Sequence, residues 1–130
     1  MGMKEQEIKQ IYTTIDMGSD ELGKVQISEE VVASIAALSV KEVEGVHSTV
    51  GSITNELVGK LGVKNISKGV KAVIEGENVM IDMNINMRFG YNIFSQCTLL
   101  QDKVKETVYN MTGLTVKEVN LRVVDVVKDK

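Results

Sequence analysis

The sequence predicts an α+β fold: a small mixed β-sheet with two main helices packed on one face, in the order strand-helix-strand, hairpin, helix-strand. Three observations carry that expectation. Between Asn78 and Arg88, apolar Val79, Ile81, Met83, Ile85 and Met87 alternate with Met80, Asp82, Asn84, Asn86 and Arg88, the two-residue period of a strand with one dry face. Two other stretches, after Ser28 and after Asn92, place apolar residues at helical spacing. Between them, Val70, Ala72 and Ile74 alternate with Lys71 and Val73, and Glu75-Gly76-Glu77-Asn78 is a turn that feeds the central strand to make a hairpin, its loop expected to be slightly longer than the tightest type.

Taken in order, residues 1–22 read as a loosely ordered leader. Ile8, Ile11, Tyr12 and Ile15 have helical spacing, Ile11 to Ile15 suits an edge strand equally well, and Gly18 to Gly23 reads as a break. A single domain spans 23–127. Val25 and Ile27 alternate with Lys24 and Gln26 as a short strand. Ser28 then caps a helix, its hydroxyl placed to accept from a free backbone N–H, with Glu29 and Glu30 at the positive end of the helix dipole. Val32, Ile35, Ala36 and Ser39 form the stripe expected to be buried, and Gly45 is expected to end the helix in a left-handed conformation. Between His47 and Lys68, glycines break the chain around a short helix suggested by Ile53, Leu57, Val58 and Leu61.

After the hairpin, Phe89-Gly90-Tyr91-Asn92 turns the chain into the second main helix. Ile93, Cys97, Leu100, Val104, Thr107, Val108 and Met111 share its apolar sector, and Gly113 closes it. In the last strand Val119, Leu121 and Val123 face in, and the phase slips at Val123-Val124, as either a bulge or a stretch buried on both sides would make it. Residues 128–130 are a solvated tail. If each helix crosses over between parallel strands, both lie on one face of the sheet, leaving the row Asp82, Asn84, Asn86, Arg88 on the other.

Composition narrows the function classes. At 130 residues the chain is long enough for one core, burying about two thirds of its unfolded surface without staples. The lone Cys97 cannot bridge internally, which fits a cytoplasmic location. No apolar run approaches the roughly 18 residues that cross a bilayer, so no direct membrane insertion is expected. A net charge of −3 with no Trp argues against a general nucleic-acid surface.

The candidate reaction centres read as structural. Cys97 falls in an apolar stripe, away from the positive, exposed setting that makes a thiolate. With one His and one Cys, a zinc site would need scattered ligands, and neither a nucleophile elbow nor a dinucleotide fingerprint is present. We therefore expect no enzyme, cofactor or metal. The alternative is an RNA-binding module using Gly59-Lys60-Leu61-Gly62, the Gly-x-x-Gly of KH domains, although the residues after it read as loop and strand. The polar row is the candidate partner-binding site: asparagine is a poor strand former, so Asn84 and Asn86 at alternate positions suggest hydrogen bonding to a partner or to a second copy.

Gly23-Lys24-Val25-Gln26-Ile27-Ser28, Val31-Val32, Ile35-Ala36, Glu44-Gly45-Val46, Lys68-Gly69-Val70, Arg88-Phe89-Gly90-Tyr91, Met111-Thr112-Gly113-Leu114 and Glu118-Val119-Asn120-Leu121 occur in an order and spacing that together resemble the alkaline shock protein family of bacterial stress proteins. The resemblance implies a small non-catalytic protein of stress response and cell-envelope homeostasis, an adaptor or regulator. The partner it implies is another protein: a membrane-anchored one that recruits it to the membrane, or a component of acetyl-CoA carboxylase, linking it to fatty-acid synthesis. Homo-oligomers are compatible with it, and it brings no catalytic residues to transfer.

Overall fold

The computed structural model describes residues 12–15, 22–51 and 67–128, and the architecture is α+β. The elements run β1 (Tyr12–Ile15), β2 (Val25–Ser28), α1 (Glu29–Ser39), a 3-10 turn (Val40–Glu42), β3 (Val46–Thr49), β4 (Val70–Glu75), β5 (Asn78–Arg88), α2 (Ile93–Thr112) and β6 (Thr115–Val127). The expected short helix near Ile53 to Leu61 and the Gly59–Gly62 loop lie outside the described residues.

β5 is the axis of a four-stranded mixed sheet. One of its edges pairs in parallel with β6 from Asn78↔Thr115 to Arg88↔Val127. The other is shared: β4 takes the first half, from Glu75↔Asn78 to Val70↔Met83, and β3 takes the second, from Thr49↔Ile85 to Val46↔Met87, both antiparallel. The junction falls at Asn84, whose N–H donates to Gly69 O (2.8 Å) and whose C=O accepts from Val50 N (2.8 Å). Gly69 sits there at φ +87°, with Val50 O 2.5 Å from where a Cβ would stand, so the two strand ends meet only because this residue has none.

The dry face of β5 is as its alternation predicts. Val79, Ile81, Met83, Ile85 and Met87 are all at most 1% exposed and pack with Val32 and Ala36 of α1 and Leu100, Val104 and Val108 of α2. Both helices thus lie on one side of the sheet. α1 starts at Ser28, whose Oγ accepts from Val31 N at 3.1 Å, and the small Ala33 and Ala36 are buried against the core. Its two leading acids do more than answer the dipole: Glu29 Oε2 accepts from the N–H of Ile74 in β4 (2.9 Å), and Ser67 Oγ donates to the Glu30 carboxylate. α2 begins at Asn92, whose Oδ1 accepts from Ser95 N at 2.8 Å, and ends at left-handed Gly113. Lys103 ties α2 to the 3-10 turn, 3.6 Å from Glu42 and 3.2 Å from Glu106, and the hydrogen bond and charge of Glu106 hold its pKa above the ordinary lysine value.

Several expectations need correction. Among the described residues only β5, α2 and β6 form a parallel crossover, because β2 pairs antiparallel with β1 in a separate two-stranded sheet, Tyr12↔Ser28 to Ile15↔Val25. At Tyr12–Ile15 the extended reading holds over the helical one. α1 gives way to the 3-10 turn before Gly45, which has no positive φ; its requirement is space, since a Cβ would stand 2.5 Å from the Gln96 side chain that accepts from Gly45 N–H. The β4–β5 hairpin is of the tightest type: Glu75 pairs with Asn78, leaving Gly76 at φ +63° and Glu77. In α2, Ile93 and Met111 are exposed although they share the apolar sector, whereas Leu100, Val104, Val108 and Thr112 are buried. The slip at Val124 is a bulge rather than a stretch buried on both sides, Val124 being exposed, and a second bulge falls at Lys117.

Candidate docking face of the sheet

The polar residues of β5 lie opposite the helices, and strand register sets their neighbours. Asp82 is flanked by Lys71 of β4 and Asn120 of β6, Asn84 by Arg122, and Asn86 by Ser48 and Asp125. Asn120 Nδ2 donates to Asp82 Oδ1 at 3.0 Å and, more weakly, to Glu118 Oε1 at 3.4 Å. Asn86 Nδ2 donates to Ser48 Oγ at 3.2 Å, and that hydroxyl lies 2.9 Å from His47 Nδ1. The four predicted residues are therefore on one face, Asp82 and Asn84 exposed, Asn86 and Arg88 half-buried. Two of them, Asp82 and Asn86, are held by bonds to adjacent strands, which fixes their orientation before any partner arrives.

Lys71, Asp82, Asn84, Asn120 and Arg122 line a shallow, open depression of about 630 Å³ on this face. It mixes cations, an acid and amides. Such a lining suits hydrogen bonding to protein backbone or polar side chains more than it suits phosphate, which needs a one-signed basic surface.

One feature escaped the reading of the sequence. The chain has five aromatic residues, and Phe89, Tyr91 and Phe94 fall within six positions where β5 ends and α2 begins. Phe94 is 81% exposed, Phe89 67% and Tyr91 40%. Lys128 holds its ammonium 5.9 Å from the Phe89 ring, within cation–π range. With Lys41, Val46, His47 and Arg88, Phe89 and Tyr91 border a second open depression of about 670 Å³. The signal was in the sequence as the clustering of scarce aromatics at an element boundary.

Cys97 is half-buried and burial pushes its thiol pKa up, the reverse of what a nucleophile needs. Among the described residues, no group of three or more His, Cys, Asp or Glu side chains is placed to hold a metal ion, and no helix is long and apolar enough to cross a membrane.

Residues 17–128 match the alkaline shock protein 23 family, described as having a cell envelope-related function. The chain belongs to that family. Among its family relatives, YqhY of Bacillus subtilis (strain 168) is 32% identical over 112 residues, covering 86% of this chain and 83% of that protein. YloU of the same strain is 35% identical over 103 residues, covering 78% and 86%. A stress response regulator gls24 homolog of Streptococcus pyogenes serotype M3 is 28% identical across 88% of this chain, which spans 64% of that protein. Among solved structures, a MamM CTD aligns over 78% of this chain and 95% of that one at 13% identity and a TM-score of 0.44. Family membership and the names of the relatives place the chain with stress-response and cell-envelope-related proteins.

Proposed function

We propose that this family member is a non-catalytic adaptor or regulator of the envelope stress response that works by binding another protein. The observation that carries the reading is the sheet face left uncovered by both helices, pre-ordered by the Asn120–Asp82 and Asn86–Ser48 bonds, with Phe89 and Tyr91 bordering the same depression as Arg88 and Phe94 exposed at the start of α2. Ordered polar groups beside exposed aromatic anchors are the make-up of a protein interface, a hot-spot centre with a hydrogen-bonding surround. Asp82, Asn84, Asn86 and Arg88 supply the polar part, and the aromatic corner supplies the apolar anchor. In the finer form of the proposal, the partner is a membrane-anchored protein or a carboxylase component, and the protein is cytoplasmic except where that partner recruits it.

The test is cross-linking in cells at native expression, comparing the wild-type chain with Phe94→Ser and Asn84→Arg. The proposal expects a defined protein to be captured by the wild type and lost or strongly reduced with each variant. Identical capture by all three chains refutes the assignment of this face.

A further inference from the structure

β6 has one paired edge and one open edge. β5 occupies the first from Thr115 to Val127, and no described strand occupies the second. The ladder shows which residues point outward. Thr115 N–H donates to Glu77 O at one end and Val127 O accepts from Phe89 N–H at the other, so both turn toward β5. Counting inward through the bulges at Lys117 and Val124, the backbone groups of Val119, Leu121 and Val123 turn away from it. Gln101 Nε2 reaches Val119 O at 3.0 Å, as that phase requires. Further along, Val126 N–H is taken by the Asp125 carboxylate at 2.8 Å. The open stretch is thus the regular segment 118–123 between two bulges. An exposed edge of this kind is a ready template for another strand.

We infer that this edge pairs antiparallel with the same edge of a second copy, about a two-fold axis at Asn120, joining two four-stranded sheets into one. Charge and face select this register. It sets Glu118 opposite Arg122 of the second copy, twice by symmetry, both on the polar face of the sheet. It sets Val119 opposite Leu121 on the helix side, and these are outward-pointing residues able to exchange backbone hydrogen bonds. A register centred on Leu121 leaves Glu118 facing the bulge at Val124, and one centred on Arg122 sets two guanidinium groups against each other. Beside the strand, Gln101, Asp102 and Lys105 of α2 line a groove of about 340 Å³ with Glu118, Val119 and Asn120. In the dimer, Leu121 N–H of the second copy takes the Val119 carbonyl that Gln101 holds in the single chain.

The experiment is sedimentation analysis of the full chain. The wild type is expected to associate as a dimer, and Glu118→Arg or Arg122→Glu alone to weaken association by about tenfold, since each sets like charges together at both symmetric positions. The double swap Glu118→Arg with Arg122→Glu restores it. In a Cys97→Ser background, Asn120→Cys is expected to form an intermolecular disulfide on mild oxidation, and Asn84→Cys, inside the sheet, is not. A monomer at every concentration, a dimer indifferent to both single reversals, or a double swap no tighter than the single variants overturns the inference. So does an Asn120→Cys dimer that fails to cross-link.

Discussion

Replacing Gly69 by alanine tests how the central strand divides one edge between two neighbours. The cost has two parts. At φ +87° a side chain adopts a conformation that costs about 1–2 kcal/mol for an L-residue. The new Cβ also meets backbone: Val50 O at 2.5 Å and Val50 N at 3.0 Å, neither of which can move like a side chain. Relief requires the end of β3 or the start of β4 to withdraw. That puts at risk the Val50 N–H to Asn84 O and Asn84 N–H to Gly69 O bonds, each worth about 0.5–1.5 kcal/mol. The expected loss is about 2–5 kcal/mol. Gly113→Ala is the internal control, because it has a similar φ of +78° but nothing within 4 Å of the added Cβ, so only the conformational cost of about 1–2 kcal/mol applies. Urea unfolding of both variants, with slopes unchanged from wild type, reads the difference directly. Equal destabilisation at the two sites would refute the junction as the place where the two strand ends are pressed together.

Leu100→Ala removes a fully buried side chain between α2 and the sheet and is expected to cost about 2–5 kcal/mol in the same unfolding assay, whereas Phe94→Ala should leave stability within about 0.5 kcal/mol of wild type. Glu29→Ala strips the acceptor from the Ile74 N–H on the outer edge of β4, with an expected loss of about 1–3 kcal/mol and faster hydrogen exchange at Ile74. For Cys97, burial raises the folded pKa above the unfolded one, so the unfolded thiol ionises first as pH rises. Stability should therefore fall as pH passes the ordinary thiol value, Cys97→Ala should remove that part of the fall, and alkylation of the folded chain should be slower than that of a free thiol.

Much of this fold was legible because its central elements obey one period each. The eleven residues of β5 alternate without error, so their burial followed from the sequence alone. Helix caps at Ser28 and Gly113 were legible for the same local reason: the donors and acceptors they satisfy are near neighbours in the chain. What sequence could not supply was set by distant contacts. Nothing near Gly45 says that Gln96 will press against it, and nothing in Val25–Ser28 says that its partner is Tyr12–Ile15 rather than the main sheet. Glu29 was read as a helix-dipole acid because its second task, holding β4, spans 45 positions. At the candidate site, the polar row followed from alternation, but the aromatic corner did not, since exposure at an element boundary leaves no periodic trace.

A photo-crosslinking side chain introduced at Asn84 or Phe94, compared with one at exposed Leu38 on α1, tests the account most directly. If the open sheet face and the aromatic cluster where β5 passes into α2 form the working surface, the first two positions capture the same protein in cells and the third does not. Capture from Leu38 alone would contradict it.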